Sequence, residues 1–254
     1  MERKRNKLYC QVAGINYEIE YEYPFTEKMF KDYIIPQGEV EKSDEIIQIS
    51  CTDREQKEWL ERVGMEVSDS YKEYGTIMSK IASQLPDRGM LLMHGATIEY
   101  KGEAYVFTAP SGTGKSTHIA IWKRFLGDKV SVINGDKPQV TFEEDKVYVH
   151  GTPWCGKEGW QINTSAPLAG VCMIERGEKN GIEKINPGEY IEFFIQQLYM
   201  TKADGALLKV IDLFTKMAEN VPFYKLTCDI SEEAAMCSFE MMTGADWEIV
   251  KNES

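Results

Sequence analysis

Between Ala109 and Thr117 the chain reads Ala-Pro-Ser-Gly-Thr-Gly-Lys-Ser-Thr, the spacing of a phosphate-binding loop with Ala109 where the stricter pattern has Gly. Gly112 and Gly114 let the backbone curl closely, so that successive N–H groups turn toward phosphate oxygens. A helix beginning in the loop would aim its positive end at the same anion. Lys115 would reach the β- and γ-phosphates, and Ser116 would offer its hydroxyl to Mg²⁺. Ser111, Gly112, Thr113, Gly114, Lys115, Ser116 and Thr117 are thus the expected contacts of a nucleoside triphosphate. The alternative is a Gly-rich turn that binds nothing.

Other residues carry chemistry in the neighbouring segments. Asp136 follows a short apolar run and precedes Lys-Pro, which places a carboxylate at a strand end, at the mouth of an α/β site. It could hold Mg²⁺ or accept a substrate proton; a turn-forming Asp bonded to nearby amides is the alternative. His94 could bond a phosphate oxygen or orient Asp136, or be a satisfied core group. Gly151-Thr-Pro-Trp-Cys-Gly-Lys157 gathers two glycines, a proline, an aromatic and a cation. Lys157 would act there as a charge clamp on the γ-phosphate and Trp154 would pack over substrate or base; the alternative is a structured turn with a partly buried Trp and a solvated Lys. Cys155 lacks an identifiable base and reads as packing. Arg176 reads as an exposed loop cation beside Glu175 and Glu178, with phosphate contact as the lesser reading.

The elements that must position these residues show in the hydrophobic pattern. Leu8, Cys10 and Val12, then Ile15 to Tyr23 at every second residue, predict a hairpin around Ala13-Gly14. Ile46, Ile47 and Ile49 suggest a strand. Tyr74, Ile77, Met78, Ile81 and Leu85 have helical spacing closed by Pro86. After Met90 come extended runs at 96–100 and 104–108 around Lys101-Gly102, then the loop and a helix through Ile119, Trp122 and Phe125 to Gly127. A strand over 130–133, a hairpin around Glu144-Asp145 and a buried strand at 169–174 follow. Helices near 190–200 and 206–218, a strand at 223–228 and a helix from Ser231 complete the chain. The expected fold is mixed α/β, with a β-rich region plus a helix over 1–88 and the loop-bearing domain over 89–254.

Composition excludes several classes. The chain has 254 residues, 43% of them hydrophobic, enough for a sizeable core, and a formal net charge of −12. Such a chain repels a phosphate backbone, so nucleic acid is not an expected partner. Arg3-Lys4-Arg5 is short and reads as a solvated terminus. No apolar stretch reaches bilayer length and no signal-peptide pattern is visible, so no membrane role is expected. Six scattered cysteines without a Cys-x-x-Cys pair fit reduced thiols in a cytoplasmic protein, and three dispersed histidines suggest no metal cluster.

His94-Gly-Ala, a hairpin, Ser111-Gly-Thr-Gly-Lys-Ser116 and a strand ending in Asn134-Gly-Asp136 together resemble the catalytic domain of bacterial HPr kinase/phosphorylase. That P-loop fold is shared with phosphoenolpyruvate carboxykinase. The resemblance covers residues from about Met90 onward and is strongest from His94 to Pro138. The 151–157 run resembles a variant group of such kinase-like proteins, some found near peptide-modification systems. The resemblance implies an ATP-dependent kinase with Mg²⁺, acting on a hydroxyl of Ser or Thr in a small protein or peptide. It places His94 on the strand neighbouring the loop and Asp136 toward the metal and the attacking hydroxyl; with Lys115 and Lys157 read from their own segments these are the expected catalytic residues, and Ser116 and Asp136 the expected metal ligands. Where the family has an Asp-Asp pair, this chain has Gly135-Asp136, a departure that weakens the expectation of the reverse, phosphorylase reaction. A nucleotide sensor without catalysis and an ATPase or GTPase are the alternatives, and a homo-oligomer is compatible with each.

Overall fold

The computed structural model describes residues 5–40, 45–200 and 205–253. Arg3 and Lys4 of the basic run lie outside the described residues. The chain divides into two units, Met1–Leu85 and Pro86–Ser254.

In the first unit, β1 (Asn6–Val12) and β2 (Ile15–Tyr21) form the expected antiparallel hairpin, and β3 (Ile47–Ile49) adds parallel to β2. Four helices accompany them: α1 (Pro24–Phe30), α2 (Gln37–Val40), α3 (Asp53–Val63) and α4 (Asp69–Ala82). The unit is therefore more helical than its opening alternation suggests. Thr52 and Glu55 form a reciprocal cap that starts α3. Buried Glu73 accepts bonds from Glu22 N (2.6 Å), Tyr23 N (3.2 Å) and Thr26 Oγ1 (2.7 Å), which satisfies the entry to α1.

The second unit is a curled nine-stranded sheet with helices, a mixed α/β arrangement. Its strands are β4 (Leu91–Leu92), β5 (Ala96–Tyr100), β6 (Glu103–Thr108), β7 (Val130–Asn134), β8 (Gln139–Glu143), β9 (Lys146–His150), β10 (Ser165–Arg176), β11 (Gly181–Ile185) and β12 (Phe223–Cys228). The long β10 joins two stretches of sheet. Its first residues pair antiparallel with β9, and after a register shift between Leu168 and Gly170 it runs parallel to β6 and β12. The helices are α5 (Lys115–Leu126), α6 (Ile191–Gln196), α7 (Ala206–Asn220), α8 (Glu232–Thr243) and α9 (Trp247–Asn252). Among the described residues no helix is long and apolar enough to cross a membrane.

Helix α5 owes its place to an apolar face. His118, Ile119, Trp122 and Leu126 are buried at helical spacing against Phe107, Phe239 and Trp247. The Trp122 indole N–H donates to Ser238 Oγ at 3.0 Å, so its polar atom is not stranded in the core. The helix expected near 190–200 is shorter, because Tyr199 N bonds Leu92 O (2.8 Å) and Leu198 bridges Met93, drawing the chain into pairing beside β4. Once the backbone N–H groups have sheet partners, the helix cannot continue.

Candidate functional site

Strand pairing decides which residues meet. β5 lies antiparallel between β6 and β7, with Ala96 opposite Phe107 and Thr97 opposite Asn134. The start of β5 therefore stands at the carboxyl ends of both neighbours. His94 just before β5, the loop after β6 and Asp136 after β7 converge at one edge. β10 and β12 run parallel to β6, with Met173 opposite Thr108 and Arg176 opposite Cys228, so their ends come to the same edge. This is where α/β sheets hold ligands.

The loop has the backbone a phosphate nest requires. Gly112 has φ +79° and Gly114 φ +125°, left-handed values that side chains rarely adopt. Lys115 is the first residue of α5 and is buried at 7% exposure, and its Nζ donates to Ala109 O at 3.0 Å. Burial pushes its pKa down, Asp136 counters this, and the Lys137 charge pushes further down. Arg176 is exposed, yet it has a definite structural task. Its guanidinium donates to Thr113 O (3.0 Å) and Gly112 O (2.5 Å), stapling two carbonyls of the loop, while Thr113 N bonds Pro110 O (3.2 Å) within it. A cavity of about 610 Å³ opens beside the loop, lined by Thr117, Ile121, Ile174, Arg176, Asp229 and Ile230 among others. Its size and its apolar walls with polar ends suit a small organic ligand.

Across from the loop, His94 is tied from both sides. Its N donates to Gln197 O (2.6 Å), its O accepts from Thr108 Oγ1 (2.8 Å), and Gly95 N donates to Asp136 O (2.8 Å). The ring pairs Nδ1 with Gln197 Oε1 at 3.1 Å and sets Nε2 3.5 Å from Asp136 Oδ1. If Nδ1 donates to the amide oxygen, Nε2 carries the lone pair and makes no hydrogen bond to Asp136; in the other tautomer Nε2–H points its proton at that carboxylate. Burial lowers the His94 pKa first and the Lys115 charge second, against opposing effects of Gln197 and Asp136. Both of the leading effects disfavour the charged imidazole.

The turn carrying Asp136 is built by Asn134. Its buried Oδ1 accepts from Asp136 N (2.9 Å) and Lys137 N (2.7 Å), while its Nδ2 donates to Thr152 O (3.0 Å) and Oγ1 (3.1 Å). Thr152 Oγ1 in turn donates to Lys137 O at 2.6 Å. Asn134 is thus the turn-former, and the Asp136 carboxylate is left to side chains: His94 on one oxygen and Lys137 on the other. No sequence motif assigns Asn134, Lys137 or Thr152 a role, although Asn-Gly-Asp is a turn signal in itself.

The 151–157 loop does reach this edge, but through its backbone. A Cβ on Gly156 would lie 3.1 Å from Asp136 Cβ, and Trp154 O accepts from Lys137 N at 3.1 Å. Trp154 itself is 1% exposed, so the expectation that it packs over a ligand is corrected: its ring is core, held down by the apolar burial of a large side chain. Cys155 is buried, as a packing residue should be. Lys157 is exposed on the turn, and the cation touching Asp136 is Lys137. Gly135 is closed to any side chain, since a Cβ would sit 2.7 Å from Cys155 O. The second acidic residue of the HPr kinase pattern therefore has no room in this turn.

Metal capacity follows from these donors. Among the described residues no group of three or more His, Cys, Asp or Glu is placed to hold an ion. Mg²⁺ at triphosphate sites takes only one or two protein ligands and fills the rest with phosphate oxygens and water, and a hydroxyl and a carboxylate are donors of the kind it accepts.

The family model for SynChlorMet cassette protein ScmC matches residues 71–234, more than half of the chain. The chain belongs to the ScmC family. That match takes in the loop, His94, Asp136 and Arg176 of this ScmC-family protein. No curated protein matches the sequence. Among solved structures it is similar to the HPr(Ser) kinase/phosphatase from Coxiella burnetii, at 10% identity over 64% of this chain and 99% of that one, with a TM-score of 0.35.

Proposed function

We propose that this ScmC-family protein is an ATP-dependent phosphotransferase of HPr kinase-like type, acting on a hydroxyl acceptor such as Ser or Thr of a small protein or peptide. One observation supports the reading: a glycine loop with a buried lysine follows β6, and a carboxylate beside an imidazole stands at the ends of β5 and β7, at the same edge of the sheet. Phosphoryl transfer asks for positioned cations and a proton acceptor more than for covalent help.

In this reading the loop amides and Lys115 hold the β- and γ-phosphates. Mg²⁺, when bound, would neutralise charge on those phosphates, with Ser116 and Asp136 as its protein ligands. The acceptor oxygen forms a bond to the γ-phosphorus while the bond from that phosphorus to the β–γ bridging oxygen breaks, and ADP leaves. The acceptor proton passes to Asp136 or to the neutral His94 nitrogen beside it. The cavity beside the loop would take the nucleoside half, with Ile121, Ile174 and Ile230 against the base.

Incubation with γ-labelled ATP, Mg²⁺ and candidate acceptors tests this directly. Label on an acceptor, lost in Asp136→Asn and in Lys115→Ala, is the expected result, with Asp136→Asn retaining most nucleotide binding. Free phosphate in place of labelled acceptor would replace transfer by hydrolysis. A second reading, a nucleotide sensor, draws on the Lys137 contact with the lone carboxylate and on the closed position at Gly135. Tight ATP binding with neither transfer nor hydrolysis would favour it.

A further inference from the structure

Asp136 is the carboxylate beside His94, and it is neutralised by the residue next to it in sequence. The Lys137 backbone is fixed on three sides, by Asn134 Oδ1 (2.7 Å), Trp154 O (3.1 Å) and Thr152 Oγ1 (2.6 Å). Only its side chain has freedom, and that side chain folds back onto Asp136 Oδ2. Lys115 lies close enough to feel both charges. The closed space at Gly135 rules out a compensating acid, so the turn supplies one negative and one positive side chain where the HPr kinase pattern has two negative ones. A carboxylate left bare here would repel a triphosphate seated on Lys115.

We propose that Lys137 is an exchangeable second cation of the triphosphate site. It neutralises Asp136 when no divalent ion is present, and it moves to the phosphate tail when Asp136 turns to a metal. The proposal rests on the nucleotide-binding reading of the loop. It makes Lys137 a ligand-contacting residue that no motif signals, and it predicts that this protein holds ATP with unusually little help from Mg²⁺.

Calorimetric titration with ATP, in excess Mg²⁺ and in chelator, reads this without any turnover. In Lys137→Met, metal-free affinity should fall by about tenfold or more, because Asp136 is then uncompensated beside the phosphates; affinity with Mg²⁺ should fall by only about threefold. Lys137→Arg should keep both values near those of the parent. Adding Asp136→Asn to Lys137→Met should restore metal-free binding, which a merely structural role for Lys137 could not produce. Equal losses with and without metal, or no rescue by Asp136→Asn, would overturn the exchange. If the parent protein bound no triphosphate under either condition, the loop reading itself would fall; a parent that binds while Lys137→Met behaves like it would sink only the proposal for Lys137.

Discussion

Gly135→Ala adds one methyl group at the point where the second acidic residue of the HPr kinase pattern would stand. The new Cβ would lie 2.7 Å from Cys155 O and 3.5 Å from both Trp160 Cβ and Trp160 O. A separation under 3 Å from a backbone oxygen must be relieved by moving the backbone, and here both sides are tethered. Gly135 N donates to Trp160 O at 2.9 Å, and the turn beyond it is bonded to Trp154 and Thr152. Overpacking of this kind costs about 1–3 kcal/mol. For a unit of this size that corresponds to a fall of roughly 2–12 °C in melting temperature. Gly135→Asp should fall further, since it also forces a carboxylate into the buried turn, and it should gain no affinity for Mg²⁺. Thermal unfolding followed by circular dichroism measures both. A Gly135→Ala protein melting with the parent would refute the claim that Cys155 closes this position, and with it the account of why the turn has one carboxylate.

Arg176→Ala should raise the Kd for ATP by about three- to tenfold, the worth of charge-assisted bonds at an exposed site, with turnover at saturating ATP little changed. Hydrogen exchange of the loop amides should quicken in parallel; unchanged exchange would remove the staple from Arg176. Acid should weaken the fold through buried histidines. Burial pushes the His118 pKa down to about 3 and that of His150 down to about 4. The folded state thus resists protonation that the unfolded chain accepts near pH 6.5, so this part of the stability is complete above that pH and is lost as pH falls toward those values. His118 alone would remove up to roughly 3 kcal/mol by pH 4. Urea titrations from pH 7 to pH 4 should show the loss, and a slope unaltered in His118→Gln would contradict it.

The parts of the site that are legible in the sequence are those with local causes. A strand, two glycines, a lysine and a helix are adjacent along the chain, and the structure runs β6, loop and α5 over the same residues. Lys137 and Arg176 are opaque for the opposite reason. Arg176 finds Gly112 and Thr113 only because β10 lies parallel to β6, and no spacing encodes that pairing. The Lys137 backbone is held beside Asp136 by bonds with Asn134, Trp154 and Thr152, two of which come from a loop beyond the next hairpin. Trp154 misleads because an aromatic among glycines looks the same whether it faces ligand or core. The Thr52-x-x-Glu55 cap of α3 is a visible signal, whereas α6 ends early through contacts with Leu92 and Met93 that lie far away in sequence.

The charge of the chain and the charge of the site point in opposite directions, and distance decides between them. A net charge of −12 disfavours long polyanions, whose binding needs many cations spread along a surface. A triphosphate is short. Beyond about 8 Å exposed charges are largely screened at physiological salt, whereas buried Lys115 is screened much less. Lys115 and Lys137 are two cations against the one carboxylate of Asp136, and burial disfavours the charged form of His94, so the local balance favours an anion. The same balance governs the chemistry once a nucleotide is bound. Lys137 occupies Oδ2 of Asp136 and His94 stands by Oδ1, so under the proposed exchange a metal or a substrate proton competes with these two neighbours for the carboxylate.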